Sequence, residues 1–152
     1  MMRGLSRAAQ RPRRRYTLRT VNVIVLPTYN ERENLRHALA RIREVAEGHG
    51  VQLHTLIVDD NSPDGTGELA DELAIEVADV SVMHRAGKEG LGKAYVAGFR
   101  EALAMGAEHI FEMDADLSHD ASYLPHFLRL VDQGADLVLG SRYVKEIGRA
   151  HV

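Results

Sequence analysis

The chain has 152 residues, of which 45% are hydrophobic and 27% charged, and a net charge of −3. That length fits one domain, and the composition is that of an ordinary globular protein. No apolar run approaches the length of a bilayer span, and the absence of cysteine excludes disulfides and thiolate metal sites.

The net charge hides an asymmetry. Residues 1–20 carry seven arginines and no acid, whereas the rest of the chain holds 12 basic residues against 22 acidic ones. The arginine-rich arm has too few apolar residues to fold, and no apolar core follows it as in a secretory signal. It is expected to be a disordered leader. A basic arm can touch anionic lipid or nucleic acid, but a membrane role needs a second signal, and no nucleic-acid partner is expected.

Beyond the arm the chain alternates between two patterns. Val21 to Leu26 is a continuous apolar, β-branched run, the mark of a strand covered on both faces. It ends in Pro27-Thr28-Tyr29-Asn30-Glu31, where Asn30 is expected to cap a helix with Glu33 as its reciprocal partner. That helix carries the stripe Leu35, Leu39, Ile42 and Val45 or Ala46 and stops near Gly48 and Gly50. A second strand, Leu53 to Val58, ends in Asp59-Asp60-Asn61-Ser62-Pro63-Asp64-Gly65-Thr66-Gly67, and a helix with Leu69, Ala70, Leu73, Ala74 and Val77 follows. A third strand, Val80 to Met83, leads into the lysine- and glycine-rich run Arg85 to Lys93 and a helix bearing Tyr95, Phe99, Ala102 and Leu103. A fourth strand, beginning at His109, ends at Asp114-Ala115-Asp116. Ser122 is expected to cap the next helix, with Pro125 in its first turn and Leu124, Phe127, Leu128 and Val131 along it. Asp136 to Leu139 is expected to start a fifth strand, ending in Gly140-Ser141-Arg142-Tyr143.

Strands alternating with helices through short loops predict an α/β domain with a mainly parallel sheet. Every charged or glycine-rich cluster directly follows a strand. Parallel sheets bind ligands beyond the carboxyl ends of their strands, so the clusters are expected to share one site. In extended chain Asp114 and Asp116 would point to the same side and could hold one hard divalent cation, leaving positions open for phosphate oxygens. Tyr29 offers a flat face to a nucleobase and Glu31 an acceptor pair. The adjacent Asp59 and Asp60 repel each other unless paired, and an acid there can accept from a nucleoside. Gly87 to Lys93 fits the spacing of a phosphate loop, but Ala94 stands where a metal-binding hydroxyl is needed, which argues against a nucleotide hydrolase. Arg142 would offer a fork to a phosphate. His119 is open to three roles (general base, ligand or structural loop residue), the last being preferred. No triad order and no His-x-x-x-His zinc pair is present.

Taken in order, Pro27 to Glu31, Asp59 to Gly67, Gly90-Leu91-Gly92, Asp114-Ala115-Asp116 and Gly140 to Tyr143 resemble the polyprenol monophosphomannose synthases, the dolichol-phosphate mannosyltransferases and their bacterial relatives in glycosyltransferase family 2. The resemblance covers about residues 21–145. It implies a GT-A type nucleotide-sugar-binding fold with a Rossmann-like sheet and flanking helices. It implies transfer of mannose from GDP-mannose to a polyprenyl phosphate, with inversion, at the cytoplasmic face of a membrane. Carried over, Pro27, Tyr29, Glu31, Val58, Asp60, Asp114, Ala115, Asp116 and Arg142 bind the nucleotide sugar. Asp114 and Asp116 hold Mg2+ or Mn2+, and Asp116 and Arg142 are the catalytic pair. Ser118 stands where some relatives carry a carboxamide, which removes a third side-chain ligand.

The chain leaves the family pattern after Lys145. Relatives continue with a glycine-rich turn, a Trp and basic residues that help hold the lipid phosphate, whereas this chain has no Trp and ends in residues 146–152, Glu-Ile-Gly-Arg-Ala-His-Val. Those residues also match a translated sequencing adapter. The expectation is a non-native tail on a truncated domain with an impaired acceptor site and weak or no transfer. Two other readings remain: a transferase moving glucose or aminoarabinose from a UDP-sugar to a lipid phosphate, and a non-catalytic nucleotide-sugar-binding fragment.

Overall fold

The computed structural model describes residues 21–141. Four strands, β1 (Asn22–Thr28), β2 (His54–Asp59), β3 (Val80–His84) and β4 (His109–Glu112), form one sheet in the order β3-β2-β1-β4, with every pairing parallel. Helices α1 (Arg32–His49), α2 (Thr66–Glu76) and α3 (Leu91–Ala104) connect successive strands, and α4 (Leu124–Asp132) follows β4 after a short 3-10 turn at Ala121–Tyr123. The chain steps outward from β1 to β3, then returns to the other side of β1 for β4. That reversal makes the β1/β4 boundary the switch point of the sheet, where loops part and leave a crevice.

Alternation along the strands assigns the two faces. Ile24, Leu26 and Ile57 pack with Leu35, Leu39 and Ile42 of α1, with Ala70 and Leu73 of α2, and with Leu124 and Leu128 of α4. Val23, Val25, Leu56 and Val58 turn the other way, toward α3. The contact there is close because Gly98 has no side chain: a Cβ would lie 2.3 Å from a Val25 methyl. The inward side of α3 is therefore Ala94, Gly98 and Ala102, and Leu103, expected inside, is 63% exposed. Tyr95, Phe99 and Ala102 do pack on this face, as the helical spacing predicts; Leu103 does not, because the small Ala102 beside it takes the inward position.

Three further expectations differ from the structure. Asn30 and Glu33 do not form a capping box; Asn30 lies at φ 60° outside the helix, and Glu31 is the N-cap without a side-chain cap bond. The fifth strand is absent among the described residues: Asp136–Leu139 is irregular, with Leu137 and Leu139 exposed, and β4 pairs only with β1. A strand needs a ladder to satisfy its backbone, and β4 offers only a short outer edge. The fourth helix is preceded by a turn that Asp120, not Ser122, caps, its carboxylate accepting from Ser122 N–H at 2.9 Å. Pro125 does lie in the first turn of α4. Gly50, at φ 63°, closes α1 in the left-handed conformation that glycine adopts freely.

Candidate active site

The loops after β1 and β2 are bound to each other through side chains of the second motif. Asn30 N–H donates to Ser62 Oγ at 3.1 Å, Glu31 N–H to Thr66 Oγ1 at 3.0 Å, and Arg32 N–H to Asp64 Oδ2 at 3.3 Å. Arg32 is the first residue of α1, Glu31 its N-cap and Asn30 the residue before, so the start of the helix is tied down by side chains more than thirty positions away. Thr66 is fully buried and donates its hydroxyl to Asp64 Oδ1 at 2.6 Å. Partial desolvation works against the Asp64 charge, yet the hydrogen bonds from Thr66 and Arg32 outweigh it and hold the carboxyl below its ordinary pKa.

The paired aspartates separate into two tasks. Asp59 is buried and accepts from the Thr28 hydroxyl at 3.2 Å, from Ser62 N–H at 3.1 Å and from the Ser62 hydroxyl at 2.6 Å. Asp60 takes the guanidinium of Arg85 at 2.5 Å, and Arg85 also reaches Glu89 at 2.8 Å. Their mutual repulsion is met by these partners. Arg85 directly follows β3, and no local sequence signal marks it as the partner of Asp60. Only the parallel register Asp59↔His84 puts it beside Asp60.

Above β1, Tyr29 is partly exposed, and Lys88 lies over its ring with Nζ 4.0 Å from the centroid. The glycine-rich loop thus folds onto the face expected to stack a base. Glu31 is half-buried and accepts from Asn34 Nδ2 at 2.8 Å. Pro27 is buried within β1. Val58 is fully buried beneath α3, so its side chain is a core group, and a nucleotide contact there falls to its backbone. Lys93 is exposed and pairs with Glu89 at 3.7 Å rather than lining a phosphate loop.

Strand β4 ends at Glu112, two residues earlier than expected; Asp114 lies beyond the strand, and the chain turns at Ala115 and Asp116. Leu117 takes φ 65° at that turn. Ala115 between them is buried and anchors the turn in the core. Asp116 is exposed; hydrogen bonds from Ser118, its hydroxyl and then its N–H, hold its carboxyl below the ordinary pKa. Asp114 is partly covered, and the hydroxyl of Tyr95 donates to its Oδ1 at 2.7 Å. Burial first, and the Asp114 carboxylate next, push the Tyr95 hydroxyl far up from its ordinary pKa, so it stays a donor. In the sequence Tyr95 shows only as part of a helical stripe, because no spacing rule links position 95 to 114.

His119 accepts the Asp114 N–H on Nδ1 at 2.9 Å, which assigns its proton to Nε2, 3.8 Å from Asp114 Oδ2. In this geometry His119 clamps the loop after β4 through the Asp114 N–H. Among the described residues no group of three or more His, Cys, Asp or Glu side chains could hold a metal alone. The donor set near the turn is two carboxylates. Such oxygen donors fit a hard divalent cation whose remaining positions are filled by phosphate oxygens and water.

The structure thus brings Tyr29, Glu31, Asp60 and the Asp114–Asp116 turn to the carboxyl edge of one sheet, Asp60 beyond β2 and the acidic turn beyond β4 on the far side of β1. Arg142, the expected phosphate fork, lies outside the described residues, as do the arginine-rich arm and residues 146–152.

The model of glycosyl transferase family 2 matches residues 23–151. The chain is 53% identical over 131 residues to a polyprenol monophosphomannose synthase of Mycolicibacterium smegmatis, covering 86% of this chain and 47% of the relative. It is 50% identical over 120 residues to an undecaprenyl-phosphate mannosyltransferase of Micrococcus luteus, covering 79% and 47%. A dolichol-phosphate mannosyltransferase of Pyrococcus furiosus is 39% identical over 122 residues, covering 80% and 33%. The chain therefore spans about half, or less, of the length of these curated relatives. Among solved structures, a mannosyltransferase of Pyrobaculum calidifontis in complex with GDP-Man and Mn2+ superposes with a TM-score of 0.62 at 25% identity, covering 82% of this chain and 35% of that one. S. aureus TarS in complex with UDP-GlcNAc, at 18% identity over 75% of this chain and 32% of its own, shares the fold with a TM-score of 0.57. The fold is the GT-A fold of nucleotide-sugar transferases, and the chain belongs to glycosyl transferase family 2.

Proposed function

We propose that this chain binds GDP-mannose along the carboxyl edge of its sheet and is the donor-binding part of a metal-dependent polyprenyl-phosphate mannosyltransferase. The observation that carries the reading is the assembly, around one switch point, of an aromatic face, a buried acid and a two-carboxylate turn in a chain half identical to such enzymes. Tyr29 stacks the base after Lys88 moves from its ring, and Asp60 accepts from the nucleoside. Asp114 and Asp116 would hold Mn2+ or Mg2+, which when bound supplies positive charge to the diphosphate leaving group. Arg142 neutralises further phosphate charge.

The acceptor in this reading is a phosphate monoester with a second pKa of about 6. It is already ionised at neutral pH, so the reaction requires no protein base. A phosphate oxygen attacks the anomeric carbon, the bond to GDP breaks with the electron pair leaving on the diphosphate, and the configuration inverts. Work on a lipid phosphate puts the enzyme at the cytoplasmic membrane surface. Among the described residues no helix is long and apolar enough to cross a membrane, which suits a peripheral seat for this part of the enzyme.

Calorimetric titration of the purified chain tests the reading. GDP binds more tightly than UDP, and Mn2+ strengthens GDP binding. Equal affinity for GDP with Mn2+ and with EDTA would overturn the metal assignment; preference for UDP would transfer the site to a different nucleotide sugar.

A further inference from the structure

Tyr95 stands one turn into α3, its ring against Phe99 with centroids 5.9 Å apart and its hydroxyl 2.7 Å from Asp114 Oδ1. The main chain of Asp114 is fixed separately, by its N–H on His119 Nδ1. Oδ2 faces His119 Nε2 at 3.8 Å, beyond hydrogen-bond distance. Asp116 differs. It is tied within its own turn by Ser118, through the hydroxyl and through the N–H at 2.9 Å. The two carboxylates are thus set by different means, one by local turn geometry and one by a side chain on another element. A monodentate carboxylate needs one oxygen held and the other aimed, and a hydroxyl donor to the held oxygen does this without adding charge.

Resting on the metal assignment made above, we propose that Tyr95 is a positioning residue for Asp114: its hydroxyl holds Oδ1 so that Oδ2 is presented to a divalent cation. Tyr95 itself touches neither cation nor sugar. Its role is to remove the rotamer freedom of a partly exposed aspartate before the ligand arrives, in the way outer-shell donors orient metal ligands. It also couples α3, which begins directly after the glycine-rich loop, to the turn after β4.

The test is a Mn2+ titration followed by the electron paramagnetic resonance of free Mn2+, with saturating GDP, on the wild-type chain, Tyr95→Phe and Asp116→Asn. Metal-free GDP binding and thermal melting are measured alongside. Phenylalanine keeps the ring against Phe99 and removes only the hydroxyl. The expected result is Mn2+ binding weaker by about tenfold in Tyr95→Phe, the low end for loss of an outer-shell partner, with metal-free GDP binding and melting temperature unchanged. Wild-type Mn2+ affinity in Tyr95→Phe, with Asp116→Asn impaired, overturns the role of Tyr95 and leaves the metal assignment standing. Loss of metal-free GDP binding in Tyr95→Phe overturns it too, by showing that the hydroxyl maintains the loop as a whole. Absence of Mn2+ binding in the wild type removes the metal assignment and this inference with it.

Discussion

At the scale of single residues, several polar side chains near the site also hold the domain together. Arg85 and Asp60 form an ion pair whose side chains are 11% and 7% exposed. Removing one partner strands the other charge away from water. Arg85→Ala is expected to cost about 3 kcal/mol, the low end for a broken buried pair, measured by urea denaturation. His54 supplies a second expectation. It is half-buried at the start of β2, its Nε2 2.8 Å from Ser81 Oγ, and burial lowers its pKa against the weaker pull of Asp79 in the other direction. The unfolded chain therefore binds this proton more readily than the folded one. The stability from His54 is complete above its unfolded pKa of about 6.5 and declines as pH falls through that value toward the lowered folded one. The melting temperature should fall between pH 7 and pH 5, and fall less in His54→Gln. Equal slopes in the two proteins would count against this assignment.

Elements meet through small residues and borrowed caps. Gly98 lets α3 lie on Val25 and Val58, and Gly98→Ala forces a methyl into space that Val25 already fills. Overpacking of this kind costs about 1–3 kcal/mol, and Gly98→Val should cost more; the better helix propensity of alanine offsets only part of it. The clasp between the first two loops gives the converse case. Asp64→Ala leaves Arg32 N–H and the Thr66 hydroxyl without their acceptor. Loss of a helix N-cap typically costs about 1 kcal/mol. Since Tyr29 and Glu31 stand on the clasped loop, this variant should also weaken GDP binding, whereas Gly98→Ala should act on stability first. Denaturation curves paired with GDP titrations separate the two.

For the whole molecule, the sheet order decides where stability and ligand binding lie. β1 is covered on both faces and paired on both edges, and all seven of its residues are buried. Its amides should exchange with solvent only on global unfolding and be the slowest in the domain, together with those of β2. The turn after β4 is anchored at Ala115 and Tyr95 but carries exposed Asp116 and Leu117, and its amides should exchange much faster. GDP with Mn2+ should slow exchange at that turn while leaving β1 unchanged. This pattern, read by hydrogen-exchange mass spectrometry, would locate the ligand independently of any mutation.

The sequence by itself determined the alternation of elements, the parallel sheet, the buried character of β1, and the placement of the polar clusters directly after β1 to β4. It could do so because apolar periodicity and turn-forming residues are local signals, carried within one element and its loop. Its wording also pointed to the family that the comparisons then showed. Tertiary structure decided what no local signal encodes. It set Arg85 beside Asp60 through the β2–β3 register, and gave the α1 cap to Ser62, Asp64 and Thr66 instead of Asn30. It buried the Val58 side chain beneath α3, and put the Tyr95 hydroxyl on Asp114. Each of these joins residues distant along the chain, and their separation in space depends on which strands are neighbours and how closely the helices lie on the sheet.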